Sequence, residues 1–99
     1  MVSEQRVNAL RAAARVSGRW FVVRRCVNQV GFACLLVRVA KQVLRSAVAR
    51  NRIRRCVREV FRQERSRLPE FDYFVSLIRP YREASLEPAR QELKRLLLS

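Results

Sequence analysis

An α+β fold is what this sequence predicts: a single-domain α/β sandwich, in the order α-β-β-α-β-α, with helices packed on one small sheet. Three observations carry that expectation. Residues 19–27 and 30–40 are dense in aromatic and β-branched residues, as strands are. Residues 46–67 place apolar side chains at spacings of three and four among arginines, the period of an amphipathic helix. A further apolar run at 71–78 follows, so a strand, a helix and a strand make a crossover unit.

The composition agrees with one folded domain. The chain has 99 residues, 49% of them hydrophobic, enough for one modest core and too many for a disordered basic tail. Its net charge of +14 favours a polyanionic partner, nucleic acid or an anionic membrane surface. Twenty of the 22 basic residues are arginine; only Lys41 and Lys94 are lysine. Arginine suits bidentate phosphate binding and stacking, and a biased genome produces the same preference. Cys26, Cys34 and Cys56 have no CxxC spacing and histidine is absent, which disfavours a zinc site and fits small buried thiols in a reducing cytosol. No signal-peptide pattern and no membrane-length apolar run is present, so a cytoplasmic protein is expected.

In chain order, residues 3–15 read as a first helix with Ser3 as cap and Val7, Leu10 and Ala14 as its apolar stripe. Gly18 marks a turn. In the strand at 19–27, Trp20, Val22, Arg24 and Cys26 point one way and Phe21, Val23, Arg25 and Val27 the other. Asn28-Gln29 is read as a hairpin turn. Residues 30–40, nearly all apolar, are expected as a central strand, with Gly31 at a bulge or close approach. Ser46 is placed to cap the arginine-rich helix, which Pro69 ends. Ser85 is placed to cap a last helix carrying Glu87 and Pro88 in its first turn and Leu86, Ala89, Leu93, Leu96 and Leu97 as its stripe.

The arginine-rich helix holds the main candidate site. At roughly 100° per residue, Ile53, Cys56, Val57, Val60 and Phe61 share one arc. Asn51, Arg54, Arg55, Arg58, Arg62 and Arg65 share the opposite arc, with Arg50 and Arg52 at its flanks. Like charges at this spacing cost an isolated helix a few tenths of a kcal/mol per pair, roughly. An ordinary solvated face mixes signs, so the pattern points to polyanion binding. The apolar arc argues for packing against a sheet and against a free helix lying on a membrane.

Nothing in the chain supplies self-sufficient nuclease chemistry. There is no histidine for acid–base work, and the eight carboxylates are scattered and not clustered as two-metal sites require.

The stretch AVARNRIRRCVREVFR at 47–62, with Arg50-Asn51-Arg52 at its core, resembles the signature helix of the protein subunit of bacterial ribonuclease P. DYFVSLIRP at 72–80, VAKQV at 39–43 and RVSGRWFVV at 15–23 are similar to that family's neighbouring segments. The resemblance implies that residues 1–99 are a single RNA-binding domain with an unusual left-handed βαβ crossover, against the general right-handed rule. It implies a subunit of the endoribonuclease that removes 5′ leaders from precursor tRNA. The cleavage chemistry would belong to a large RNA and to Mg2+ held mainly by that RNA, with no catalytic residue and no metal on the protein. Implied partners are ribonuclease P RNA and precursor tRNA, with no membrane and no obligate protein partner. Arg50, Asn51, Arg52, Arg54, Arg55, Arg58, Arg62 and Lys41 become the expected RNA-binding residues.

A cleft between the first helix and the sheet would hold the leader. The family's aromatic positions there correspond to Arg6, Leu10 and Arg24, none of them aromatic. Base stacking on a ring is worth about 1–3 kcal/mol per base, so leader contacts would be weaker or rearranged. Trp20 either substitutes for these rings beside Arg24 or fills the core of the sheet. The competing reading is a general RNA-binding module of the ribosome-associated type.

Overall fold

The computed structural model describes residues 4–5, 8–9 and 13–99. Glu4, Gln5, Asn8 and Ala9 have helical backbone, while the cap at Ser3 and the stripe positions Val7 and Leu10 lie outside the described residues. The helix expected over 3–15 does not reach Arg15, because Arg15–Ser17 forms a strand, β1, that pairs with the next one. The other elements are β2 (Phe21–Val27), β3 (Cys34–Arg38), α1 (Ala47–Glu64), a 3-10 turn (Arg65–Arg67), β4 (Phe71–Leu77) and α2 (Glu87–Leu98). Mixed α+β architecture around one sheet is therefore observed.

The sheet order is β1-β2-β4-β3. β1 and β2 are antiparallel, β2 and β4 are antiparallel, and β3 and β4 are parallel. Two expectations fail here. Asn28-Gln29 is not a hairpin turn, since β2 and β3 are not neighbours, and β3 is an edge strand, not a central one. The reason is the crossover. A parallel return needs a connection of about a dozen residues or more, and α1 supplies it, setting β4 down between β2 and β3. β4 is accordingly covered on both faces: Tyr73, Val75 and Leu77 point to the helices, and Asp72 and Phe74 are buried on the other side.

Asn28 instead ties the loop to the sheet. Its side-chain amide donates to Asp72 Oδ1 at 3.0 Å and to the Phe32 carbonyl at 3.2 Å, while its oxygen accepts from the Val30 N–H at 3.2 Å. Gly31 in this loop has φ +85° and open space where a Cβ would stand, so backbone conformation and not close packing calls for glycine. Val30 and Phe32, read as strand, are exposed loop residues.

The helices cover one face of the sheet. Ile53, Cys56, Val57, Val60 and Phe61 of α1 and Ala89, Leu93, Leu96 and Leu97 of α2 pack on Phe21, Val23, Tyr73, Val75 and Leu77. The arc read from helical spacing is the buried arc. Truncating any of the large side chains to alanine in such a core typically costs about 2–5 kcal/mol. The expectation of three buried thiols holds for Cys56 alone; Cys26 and Cys34 are half-buried on the strands.

Ser46 caps α1 as expected, accepting from the Ala49 N–H at 3.1 Å. For α2 the cap position falls one residue later than expected, at Leu86, whose side chain has no capping oxygen; Ser85 Oγ still accepts the Glu87 N–H at 3.1 Å. Pro69 follows the 3-10 turn that winds down α1.

A buried carboxylate pins the start of β2. Glu92 of α2 accepts the N–H groups of Arg19 at 2.5 Å and of Trp20 and Phe21 at 2.9 Å each. A Cβ on Gly18 would stand 2.4 Å from the Glu92 carboxyl carbon, so the turn expected at this glycine also serves a close approach. Pinned in this way ahead of the strand, Trp20 leaves the strand alternation. It joins the helix-side core, its ring edge-on to Tyr81 at a centroid distance of 5.0 Å. Trp20 therefore does not share a face with Arg24. Of its two expected roles it takes the core one.

Candidate nucleic-acid interface

α1 carries its arginines outward because its apolar residues are consumed by the sheet. Asn51, Arg52, Arg55, Arg58 and Arg62 are exposed, and Arg50 and Arg54 are half-exposed. The cations divide into two groups. Arg50 reaches back to the carbonyls of Leu44 (3.1 Å) and Arg45 (2.7 Å), Arg52 donates to the Ala84 carbonyl at 2.7 Å, and Arg54 donates to Asn51 Oδ1 at 3.1 Å. These bonds hold the loops at either side of the helix and spend the Asn51 carbonyl locally. Arg55, Arg58 and Arg62 make no hydrogen bond or ion pair among the described residues, so their guanidinium donors remain open to a partner.

Of the acids only Glu59 is exposed on α1, where it lines a hollow with Arg52 and Arg55. Glu64 faces Arg67 at 3.6 Å, Glu87 faces Arg90 at 3.7 Å, and Glu59 accepts from Gln63 at 3.4 Å. Among the described residues no arginine of α1 has a carboxylate partner within salt-bridge distance. Glu92 and Asp72 are buried on backbone and amide groups. Glu92, Asp72 and Glu64 thus serve the fold, and Glu59 alone opposes the arginines on the exposed part of α1.

Three hollows adjoin this face. One, of about 780 Å³, lies between α1 and the segment before it and brings Lys41 together with Arg38, Arg45 and Arg54. A second, of about 480 Å³, runs between the helices and brings Asn51, Arg52, Arg55 and Arg90 together with the acid Glu59, over Val48, Cys56 and Leu86. A third, of about 350 Å³, lies on the sheet face away from the helices and contains Arg24 with Arg15 and Arg38. The first and third share Arg38, Ala40 and Gln42, so the basic surface continues around the sheet edge.

The site residues named from sequence are therefore brought together in part. Lys41 joins Arg54, and Asn51 joins Arg52 and Arg55, while Arg58 and Arg62 continue the line along α1. Arg24 stands apart on the other sheet face, and Arg6 and Leu10 lie outside the described residues. Arg15, Arg38 and Arg45 were missed. Their only sequence signal was charge, since a three-residue strand has no readable period and strand order is not local.

Burial raises the Cys56 thiol above its ordinary value, with Arg90 opposing and Glu59 assisting, so it stays protonated and unreactive. Burial likewise raises Tyr73, with Arg25 opposing. Among the described residues no helix is long and apolar enough to cross a membrane. What the arrangement offers chemically is a broad set of guanidinium donors.

Comparison with known proteins gives one answer. The family model described as Ribonuclease P matches residues 5–99. The chain is 40% identical over 90 residues to the ribonuclease P protein component of Azoarcus sp. (strain BH72), covering 91% of this chain and 73% of that protein. It is 40% identical over 63 residues to that of Halorhodospira halophila, covering 64% of this chain and 52% of that one. In fold it is similar to the RNase P protein from Thermotoga maritima, with a TM-score of 0.80 at 23% identity, over 96% of this chain and 92% of that one. The RNase P protein of Staphylococcus aureus follows with a TM-score of 0.77 at 24% identity, over 98% and 86%. An arginine helix laid on a four-stranded sheet, matched over nearly the whole chain, thus places this protein in the ribonuclease P family, as a protein component of the ribonucleoprotein that matures tRNA 5′ ends.

Proposed function

We infer that this chain docks on ribonuclease P RNA through the outer face of α1 and assists removal of the 5′ leader from precursor tRNA. The observation that carries the reading is the row Arg55, Arg58 and Arg62. These are guanidinium groups without carboxylate partners among the described residues, on a helix whose other side is locked into the core. Lys41, Arg38, Arg45 and Arg54 extend the row into the hollow before the helix. Contacts of this kind go to phosphates, set position and affinity, and weaken steeply with salt. Arg50 and Arg52 act one step back, holding the loops that flank α1, and Asn51 orients Arg54.

The phosphodiester cleavage belongs, in this reading, to the RNA and to the Mg2+ that it holds. The protein adds cations where two RNA chains approach one another, which lowers the metal concentration needed for assembly. The carboxylates support this division of labour, because Glu92, Asp72, Glu64 and Glu87 are each engaged within the fold.

The test is reconstitution of the chain with a bacterial ribonuclease P RNA and a precursor tRNA at low Mg2+. The expected result is stimulated cleavage at the 5′ leader junction. Binding of the RNA with no stimulation would reduce the chain to a general RNA-binding module.

A further inference from the structure

Phe32 alone among the aromatic residues of this chain is exposed; Phe71 is half-buried and the others belong to the core. Half of its surface stands open on the loop between β2 and β3, and Val27 and Val30 on the same connection are exposed as well. Single exposed apolar residues are ordinary, but two features set this ring apart. The first is that the loop carrying it is fixed from beneath. The buried Asn28 amide joins Asp72 Oδ1 to the Phe32 carbonyl, at 3.0 and 3.2 Å. Gly31, at φ +85°, turns the backbone immediately before the ring. A side chain held out on an ordered loop has little freedom left to lose on binding.

The second feature is Arg65. Its guanidinium lies over the Phe32 ring, 5.4 Å from the centroid. Among the described residues it has no carboxylate within salt-bridge distance. Arg65 begins the 3-10 turn that continues α1 and comes three residues after Arg62. Its cation therefore prolongs the exposed row Arg55, Arg58 and Arg62. That row ends against an open aromatic ring.

Size and charge say what fits there. Three exposed apolar side chains are too few for a stable protein interface, which buries roughly 800 Å² per partner. Over residues 65–71, Arg65 and Arg67 outnumber the single acid Glu70, so the surroundings suit an anion. A nucleotide of an RNA already lying on α1 offers both halves of the match, a flat base for the ring and a phosphate for the guanidinium. Stacking of this kind is open to any base, because every base has a π-face.

We propose that Phe32 stacks one unpaired base of the ribonuclease P RNA while Arg65 binds the phosphate of that nucleotide. This rests on the functional reading above, in which α1 docks on that RNA. It extends the docking surface beyond the helix onto the β2–β3 loop, and precursor tRNA takes no part in the contact.

The test titrates ribonuclease P RNA alone with the full chain over a range of salt. Phe32→Ala should weaken binding about tenfold and leave the salt slope unchanged, since a lost stacking contact changes no counterion release. Arg65→Gln should weaken binding and lower the slope by about one. Phe32→Leu, apolar but without a ring, should bind about as poorly as Phe32→Ala, and Phe32→Trp should bind at least as well as wild type. Fluorescence from position 32 in the Phe32→Trp chain should be quenched by the RNA, read against wild type, whose Trp20 is buried. Melting temperatures of these variants should stay within about 4 °C of wild type, as for a surface change. Wild-type affinity in the Phe32→Ala or the Phe32→Leu chain would overturn the proposal. So would self-association of the free chain that Phe32→Ala abolishes, which would give the ring to a second copy. RNA binding indifferent to charge reversal at Arg54 and Arg58 would instead overturn the reading of α1, and this inference with it.

Discussion

Two surfaces of this molecule carry arginine, and they differ in how the fold obtained them. On α1 the guanidinium groups stand in solvent, spaced along one helix, and a core on the opposite side holds them there. On the far face of the sheet, Arg15, Arg24 and Arg38 come from separate strands into a shared groove, where Arg24 Nε is buried with no acceptor among the described residues. Repulsion on α1 is screened by solvent and salt. In the groove Arg24 is half-buried and its charge less screened, while Arg15 and Arg38 are exposed. The same residue type thus stands along one solvent-facing helix in one place and is gathered from separate strands in the other.

Several experiments would break or sharpen this contrast, and the largest effect concerns what holds the two surfaces together. Glu92→Ala strips the acceptor from three backbone N–H groups at the start of β2. A loss of about 3 kcal/mol is expected, since hydrogen bonds to charged groups are worth about 1.5–3 kcal/mol each and their loss is partly made good by water. For a domain of this size Tm should fall by about 12–24 °C. An unchanged melting temperature would mean that packing alone anchors β2 to α2.

Next in size is the helix surface. Arg54→Glu with Arg58→Glu should weaken binding to ribonuclease P RNA by about 100-fold at moderate salt, through lost phosphate contacts and new repulsion. Titration of labelled RNA would measure it, and an affinity equal to wild type would remove α1 as the docking surface.

The comparison itself is tested by stability without RNA. Arg24→Met removes the unsatisfied Nε and the charge opposite Arg15, so the free protein should gain about 1 kcal/mol in urea unfolding. Arg58→Met on α1 should stay within about 0.5 kcal/mol of wild type. Equal responses at the two positions would erase the distinction between the surfaces.

The smallest effect lies in the layer between them. Cys56 has its pKa raised by burial above the ordinary value of 9.0. The folded state therefore keeps its proton longer than the unfolded state does. The stabilisation is complete below pH 9.0 and is lost as pH rises from there through the folded-state value. Melting curves from pH 8 to 10 should show a decline that Cys56→Ala makes shallower, with Tyr73 adding its own part above its ordinary value of 10.0.

The sequence by itself determined everything that repeats along a single element. The buried and charged arcs of α1 follow from 3.6-residue periodicity, and the Ser46 cap follows from chemistry within one turn. The cores of β2 and β4 followed from runs of β-branched and aromatic residues, and the Arg50-Asn51-Arg52 segment led to the right family. Only the tertiary structure decided which strands are neighbours. Nothing local to residues 30–40 says that β4 will enter between β2 and β3, so an apolar run that reads as a central strand ends at the edge. The same holds for Trp20, turned to the core by a carboxylate 72 residues away, and for Asn28, bonded to Asp72 instead of closing a hairpin. The arginine groove is the clearest case. Arg15, Arg24 and Arg38 share no period, and a pairing free energy summed over distant strands brings them to one face.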